Sequence, residues 1–279
     1  MNYNKHIIIV GSARSGTSWL SETLSQPFRY RMLFEPEHEL RTKSGHLLCD
    51  QWITTSKTSP KAHAYLKRLF ANRVDCDWIA QNSNRSYKRH LWPFVPKKFI
   101  IKFVRGNLLS KYVNEDFGIP VIHVIRNPYD VISSQLRSNF PWLYNLSIFS
   151  NQESLVQLIK DRFDFDIRQY PNLSKVEVLC LRWCIENVIP LEVLEPYQGP
   201  WTLLRYEDLF SDLQVFMNVC QEYNLDVVPN IEAIYRQPST KTHSKSTIRH
   251  GIASTSVLSD EDRRSVKRLL EVFKTQLYS

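Results

Sequence analysis

The chain has 279 residues, of which 43% are hydrophobic and 23% are charged, a composition typical of a soluble globular protein. Its length fits one large α/β unit, and we expect a single domain over residues 1–279. Lysine and arginine exceed aspartate and glutamate by 36 to 28, a net charge of +8 that favours anionic ligands without separating a nucleotide from a nucleic acid.

Predicted strands and helices alternate along the chain. Residues 6–10 form a short, uninterrupted apolar run that predicts a buried parallel strand, and 16–26 repeat apolar residues at helical spacing. Further strands are predicted over 98–104, 120–125 and 201–204, and further helices over 107–115, 128–138, 153–169, 175–194, 213–223 and 260–277. The polar, aperiodic stretch 237–255 predicts a loop that a ligand orders. This alternation predicts an α/β fold of three layers, with a mostly parallel central sheet flanked by helices.

The cysteine pattern bears on compartment and cofactor. Five cysteines, with no Cys-x-x-Cys pair, argue against a disulfide framework and a zinc ribbon, and indicate a reducing compartment. We find no cluster of histidine, cysteine and carboxylate at metal-ligand spacing and expect no metal. No run reaches the ~18–20 apolar residues of a membrane span, and the first residues do not resemble a signal peptide. We therefore expect a cytoplasmic protein without a transmembrane segment, whose oligomeric state stays open.

The segment between the first strand and the first helix has the spacing of a phosphate-binding loop, Gly11-x-x-x-x-Gly16-x-Ser18. In such a loop successive backbone N–H groups surround an anion, and the following helix adds the positive end of its dipole. Nucleotide-hydrolysing loops place a lysine directly after the second glycine, where this chain has Thr17. The cation is instead Arg14, inside the loop, so the motif fits a metal-assisted ATPase or GTPase poorly.

A second anion site is predicted directly after the strand at 120–125. Arg126 begins the segment Arg126-Asn-Pro, and an arginine at the carboxyl end of a strand points into the crevice where α/β sheets bind ligands. Its guanidinium can hold a phosphate through two hydrogen bonds. Ser134, eight positions further on, can donate a hydroxyl from the following helix.

The stretch Gly11-Ser-Ala-Arg-Ser-Gly-Thr-Ser-Trp-Leu20 resembles the 5′-phosphosulfate loop of sulfotransferases that use 3′-phosphoadenosine 5′-phosphosulfate (PAPS). The resemblance implies the P-loop-NTPase-like sulfotransferase fold, with PAPS as the sulfuryl donor. It implies that the 5′-phosphosulfate is bound by Arg14, Ser15, Gly16, Thr17, Ser18 and Trp19. Arg126 and Ser134 match the spacing of the family's 3′-phosphate motif.

Two further segments resemble the family more weakly. Arg205-Tyr-Glu-Asp-Leu209 is similar to its Tyr-Glu-Asp-Leu element, which implies that Tyr206 lies near the adenine. The basic stretch 241–251 occupies the place of its carboxyl-terminal 3′-phosphate loop, although His250 stands where the family has lysine. This correspondence implies three more nucleotide contacts, Lys245, Arg249 and Gly251.

At the position of the catalytic base, this sequence differs from one group of family members and resembles another. Members that sulfate phenols and steroids use a histidine near the second strand, and residues 101–107 contain none. Phe34-Glu-Pro-Glu-His38 is instead similar to the Glu-Pro element of bacterial and carbohydrate-directed members. Glu35 is thus the first candidate for the base, Glu37 the second and His38 the third, with Lys102 and Arg105 facing the transferring group or an anionic acceptor.

The acceptor is predicted less closely than the donor. The Glu-Pro element favours a hydroxyl over an amine, on a small molecule or a glycan, and leaves a lipid or small alcohol open. A group of apolar residues is an acceptor wall or part of the core: Phe140, Trp142, Leu143, Tyr144 and Phe149.

Two alternative functions remain. A kinase-like phosphotransferase would need a metal-binding carboxylate, for which Asp130 is available inside the helix opening. A non-catalytic polyanion-binding module would bind in a steeply salt-dependent way. The order of the two phosphate motifs favours the sulfotransferase, and we expect no nucleic-acid partner.

Overall fold

A computed structural model describes residues 6–74, 76–81, 98–240 and 256–278, and within them five strands form one sheet. The strands are β1 His6–Val10, β2 Tyr30–Phe34, β3 Lys98–Lys102, β4 Val121–Ile125 and β5 Trp201–Arg205. Their order is β2-β3-β1-β4-β5, and every neighbouring pair is parallel. The predicted α/β class with a parallel central sheet is confirmed.

Helices connect the strands and cover the sheet. In chain order they are α1 Thr17–Leu24, α2 Pro60–Phe70, α3 Asp77–Ala80, α4 Ser110–Phe117, α5 Pro128–Ser138, α6 Ser147–Ser150, α7 Glu153–Phe163, α8 Lys175–Val188, α9 Tyr206–Ser211, α10 Leu213–Glu222, α11 Ile231–Tyr235 and α12 Asp260–Val272. Short 3₁₀ turns lie at Gly45–Leu47, Thr55–Lys57, Asn107–Leu109, Pro141–Tyr144 and Ile167–Asn172. Among the helices described, none combines the length and the apolar character that crossing a bilayer requires.

The three layers follow from the alternation of side chains along each buried strand. On β1, Ile8 and Val10 pack with α2 and α4, whereas Ile7 and Ile9 pack with α1, α10 and α11 on the other face. A third apolar cluster joins α5, α7, α8 and α12 beyond the sheet. Helix α8 is buried along nearly its whole length, so the polar residues near its end must find partners inside the protein.

Three predicted helices are too long. The helix predicted over 153–169 ends at Phe163, where Asp164 takes a left-handed φ of 52°. The helix predicted over 175–194 ends at Val188 and continues as one π turn, Ile189–Val193, because Pro190 cannot donate a backbone hydrogen bond. The helix predicted over 260–277 begins at Asp260, where Ser259 is the N-cap, and ends at Val272.

Strand β2 and helix α2 were not predicted. Strand β2 contains Arg31, which is only 1% exposed and donates to Asn72 Oδ1 at 3.2 Å. A charged residue inside a short run hides the strand pattern, and its partner lies far along the chain. Helix α2 carries ordinary start signals, since Ser59 caps the backbone N–H of Ala62 and Pro60 occupies the first turn.

The strand order places the phosphate-loop segment at the switch point of the sheet. From β1 the chain crosses to β2 at one edge of the sheet and then forms β3 between β2 and β1. It next crosses to the other side of β1, where β4 and β5 extend the sheet. Ligands of open α/β sheets bind beyond the carboxyl ends of the strands at this point. The carboxyl end of β1 leads directly into residues 11–18.

Candidate active site

Each of the five strands ends at a candidate site residue. In the register of the sheet, Lys102 lies beside Ile9 and beside Phe34, and Ile125 lies beside Arg205. Glu35 therefore follows β2, Lys102 ends β3, the loop 11–18 follows β1, Arg126 follows β4 and Tyr206 follows β5. Because neighbouring strands lie about 4.8 Å apart, these groups form one row along the carboxyl edge.

The loop 11–18 has the backbone shape of an anion cradle. Arg14 and Gly16 both take positive φ, 76° and 90°, and Gly16 is the N-cap of helix α1. The first-turn N–H groups of a helix that begins at Thr17 have no acceptor within that helix. The side chain of Ser15 is buried, and its hydroxyl has no hydrogen-bond partner among the described residues.

Tyr206 covers the loop at Gly16. A Cβ atom at Gly16 would lie 2.4 Å from Tyr206 Cδ2, so only glycine fits beneath this ring. Trp19, from the first turn of α1, packs edge-on against Tyr206 and donates its indole N–H to the carbonyl of Tyr235 at 3.1 Å. Ser18 is half-buried in the same turn.

Arg14 connects the two predicted anion sites. Its Nε donates to Ser134 Oγ at 3.0 Å, and its backbone carbonyl accepts from the guanidinium of Arg126 at 3.2 Å. Burial, followed by the positive charges of Arg126 and Arg137, lowers the pKa of Arg14. Arg14 and Ser134, assigned to opposite ends of the donor by sequence, are thus in direct contact.

Arg126 is buried and keeps an unused hydrogen-bond donor. Its guanidinium lies 4.5 Å from the centre of the Tyr206 ring, and the residue is only 7% exposed. Its Nε–H has no partner among the described residues. A desolvated guanidinium without an acidic partner is costly, so this geometry favours an incoming anion.

Glu35 and Lys102 form an ion pair at the other side of the loop. Lys102 Nζ lies 2.6 Å from Glu35 Oε1, with the lysine side chain 3% and the glutamate side chain 19% exposed. Glu35 takes a φ of 43°, and its backbone N–H donates to the carbonyl of Lys102 at 2.9 Å. Strained backbone of this kind persists where the surroundings hold it in place, and here the indole of Trp78 donates to the Glu35 carbonyl.

Glu37 lies deeper than Glu35. Its Oε1 accepts from the backbone N–H groups of Val104 and Arg105, at 2.7 and 3.0 Å, while Oε2 has no partner among the described residues. Burial, with the nearby charge of Glu35, raises the pKa of Glu37 to about 7. Glu37 therefore fixes the end of β3 and is less accessible to an acceptor than Glu35.

His38 belongs to an aromatic group beside Glu35. Its ring lies 4.7 Å from that of Trp78, and Trp78 packs edge-on against Phe34 at 5.4 Å. The guanidinium of Arg41 also lies over the Trp78 ring, 5.5 Å from its centroid. Sequence reasoning missed Trp78, because its position beside Glu35 depends on the tertiary packing of α3.

Arg105 is already paired within the protein. Its guanidinium donates to Glu39 at 2.6 Å and to Asp50 at 2.7 Å. The side chain of Arg182 also reaches Asp50, at 3.3 Å, and bonds Glu186 at 2.9 Å. Of the two cations predicted to face the reacting groups, Lys102 is the one whose partner is the candidate base. Asp50 and Arg182 carry no motif by which the sequence could reveal them.

The remaining predicted residues divide into three sets. Leu143 and Phe149 are buried in the core, whereas Trp142 and Tyr144 are half-buried, with Trp142 against the Arg105 and Arg182 guanidiniums. The predicted nucleotide contacts Lys245, Arg249 and Gly251 lie outside the described residues, as does most of the predicted loop 237–255.

Comparisons with known proteins bear on the family of the chain. A family profile described as the sulfotransferase domain matches residues 4–227. The chain is similar to a solved sulfotransferase domain from the curacin biosynthetic pathway, at 18% identity over 94% of this chain and 96% of that chain, with a TM-score of 0.45. A sulfotransferase from Alicyclobacillus acidocaldarius is 15% identical over 97% of this chain and 96% of that chain, with a TM-score of 0.42. One from Mycobacterium avium is 15% identical over 98% and 76% of the two chains, with a TM-score of 0.46. The comparison with curated protein sequences gives no match.

The contact between Gly16 and Tyr206 predicts the effect of a single methyl group. Gly16→Ala combines a left-handed φ with a collision against the ring, whereas Gly118→Ala has a φ of 62° and nothing within 4 Å of the new Cβ. We expect Gly118→Ala to cost about 1–2 kcal/mol of unfolding free energy from backbone strain, and Gly16→Ala to cost more. Urea unfolding measures both. In a Tyr206→Ala background the excess cost of Gly16→Ala should vanish, and a persistent excess would contradict the contact.

The buried carboxyl of Glu37 predicts a pH-dependent stability. Because the pKa rises from an ordinary value of 4.5 to about 7 on folding, the folded state holds a proton that the unfolded chain releases. The contribution of Glu37 to the free energy of unfolding is therefore fully present below pH 4.5 and is lost as the pH rises through about 7. Glu37→Gln keeps the acceptor for both backbone N–H groups and removes the titration. Relative to the wild type, its urea midpoint should therefore rise between pH 5 and pH 8, and a constant difference would refute the assignment.

Proposed function

Since the chain belongs to the sulfotransferase domain family, we propose that it transfers the sulfuryl group of PAPS to a hydroxyl group of a small molecule or glycan. Residues 11–18 hold the 5′-phosphosulfate, and Arg126 with Ser134 holds the 3′-phosphate. Tyr206 lies near the adenine, and Glu35 accepts the proton of the acceptor. No metal takes part in this proposal.

One observation carries the proposal: Arg14 and Arg126 lie together beside the ends of β1 and β4, and neither forms an ion pair with an acid among the described residues. Burial lowers the pKa of Arg14, and the nearby positive charges of Arg126 and Arg137 lower it further. The Arg126 Nε–H and the Ser15 hydroxyl are buried and have no hydrogen-bond partner among the residues that the structure describes. A nucleotide with phosphates on both its 3′ and 5′ oxygens supplies two anions, which suits a cluster that spans two strand ends.

The order of residues along the sheet edge supports an acceptor on the β2 side. The second anion site follows β4, on one side of the loop, and the Glu35–Lys102 pair follows β2 and β3, on the other. The donor phosphates at the loop thus lie between the 3′-phosphate site and the candidate base. An acceptor bound beside Glu35 approaches the sulfuryl group from the side opposite the nucleoside, as an in-line displacement requires.

The reaction needs a base for the acceptor proton and positive charge near the group in transfer and the leaving phosphate. The acceptor oxygen forms a bond to sulfur, the bond from sulfur to the 5′-phosphate oxygen breaks, and 3′-phosphoadenosine 5′-phosphate (PAP) leaves with the electron pair. Glu35 takes the acceptor proton. Lys102 orients Glu35 and offers positive charge to the oxygens of the group in transfer. Helix α1 directs its N-terminal dipole at the leaving phosphate.

The surroundings of Glu35 support an acceptor with a flat or ring-shaped surface. Trp78 is half-buried beside the base, in contact with Phe34 and His38. Aromatic faces bind the apolar faces of sugars and other rings, while Glu35 and His38 offer polar atoms at the rim. This arrangement favours a hydroxylated ring, of which a glycan is one class.

A ligand panel tests the nucleotide site. The 3′-phosphate should bind Arg126, so PAP should raise the thermal unfolding midpoint more than ADP or 5′-AMP. Arg126→Ala should weaken PAP binding by about 10- to 100-fold in calorimetry, the range expected for a charge-assisted contact. Arg168→Ala, which breaks an exposed ion pair with Glu153, is the matched control and should bind PAP as the wild type does. Selective stabilisation by ATP with magnesium would instead support the kinase-like alternative.

Substitution of Glu35 tests the base. Glu35→Gln keeps the shape of the side chain but cannot accept a proton, so kcat for transfer from ³⁵S-labelled PAPS should fall about 100-fold or more. PAP affinity should stay near that of the wild type. The assay offers a sugar, an alkyl alcohol and a steroid alcohol as acceptors, and Glu37→Gln is measured alongside. Loss of transfer in Glu37→Gln with near-normal turnover in Glu35→Gln would assign the base to Glu37.

A further inference from the structure

The peptide unit that joins Arg126 to Asn127 is held from both sides. Its carbonyl oxygen accepts from the indole N–H of Trp183 at 3.2 Å. Its N–H, which belongs to Asn127, donates to Glu207 Oε1 at 2.9 Å. Trp183 comes from the buried helix α8 and Glu207 from the first turn of α9, so two distant segments fix one peptide plane.

Tyr278 contacts both of the residues that hold this peptide. Its hydroxyl donates to Glu207 Oε2 at 2.7 Å, and its ring meets that of Trp183 edge-on, with centroids 6.3 Å apart. The guanidinium of Arg205 lies over the same tyrosine ring, 5.1 Å from its centre. Burial, with the charge of Glu207, raises the pKa of Tyr278, so its hydroxyl keeps its proton and donates at neutral pH.

The side chain of Arg126 has few tethers of its own. Within the described residues it contacts the carbonyl of Arg14 and the face of Tyr206, and its Nε–H is left without a partner. The direction of the guanidinium therefore depends on the orientation of the backbone that carries it. That backbone is the peptide unit held by Trp183 and Glu207.

We infer that Tyr278 is a positioning residue for anion recognition, acting through Glu207 and Trp183 on the 126–127 peptide and hence on Arg126. The inference rests on the proposed function, in which Arg126 binds the 3′-phosphate. Tyr278 touches no ligand in this account. Its removal should weaken recognition of the 3′-phosphate and leave the rest of the nucleotide contacts in place.

Two ligands that differ only in the 3′-phosphate test this inference. Tyr278→Phe removes one hydroxyl and keeps the ring packing. We expect calorimetry to show PAP bound about three- to tenfold more weakly, the effect of one lost hydrogen bond, with the affinity for 5′-AMP unchanged. Tyr223→Phe is the matched control, since it removes a hydroxyl bonded to Thr202 at the opposite end of β5. It should lose a similar amount of stability in urea and none of the PAP preference.

A double-mutant cycle separates positioning from a general loosening of the fold. Glu207→Ala removes the contact to Asn127 directly and should weaken PAP more than Tyr278→Phe does. Adding Tyr278→Phe to Glu207→Ala should then cost nothing further, because Tyr278 acts through Glu207. Additive losses, or equal weakening of PAP and 5′-AMP, would overturn the inference. Unchanged PAP binding in Tyr278→Phe would also overturn it, provided that the wild type binds PAP more tightly than 5′-AMP. A wild type that binds the two ligands equally would instead overturn the proposed function.

Discussion

The placement of residues 11–18 and of Arg126 depends on polar side chains of the buried helix α8. Asn187 donates to Ser12 Oγ, near the start of residues 11–18, at 2.8 Å, and Trp183 donates to the carbonyl of Arg126. Asn187 also bonds His123 on β4, whose pKa burial lowers to about 4, so that histidine stays neutral. A buried donor or acceptor without a partner costs about 1–3 kcal/mol. Residues 11–18, the end of β4 and helix α8 are therefore held in the one arrangement in which all of these hydrogen bonds form.

Two groups of arginines, Arg105 with Arg182 and Arg14 with Arg126, differ in their ion pairs. Arg105 and Arg182 are surrounded by the carboxylates of Glu39, Asp50 and Glu186. Burial alone would lower the pKa of Arg105, but the paired carboxylate of Asp50 raises it. Arg14 is half-buried, and burial together with neighbouring positive charge lowers its pKa. Arg105 and Arg182 are neutralised within the fold, whereas Arg14 and Arg126 form no ion pair with an acid among the described residues, which supports the anion site of the proposed function.

The sequence predicts those parts of the molecule whose physics is local. The run at β1, the glycines of residues 11–18 and the arginine after β4 are fixed by neighbouring residues, and each was predicted. Strand β2 was missed because Arg31 breaks its apolar pattern, and the partner that makes its burial tolerable, Asn72, becomes adjacent only on folding. The same reason hides Trp78, Asp50 and Tyr278. Helix α2 is different, since its proline and serine start signals were present in the sequence and were overlooked.

The contact between Arg14 and Ser134 changes how the two phosphate sites are related. As sequence motifs, the loop at 11–18 and the segment at 126–134 are independent. In the fold, two hydrogen bonds join them, Arg14 to Ser134 and Arg126 to the carbonyl of Arg14. A third, from the next residue, Gln135, reaches the carbonyl of Ala13. In the proposed function, these bonds set the spacing of the two anionic groups that a ligand must match. A nucleotide with phosphate at one end only would then fill half of the proposed site.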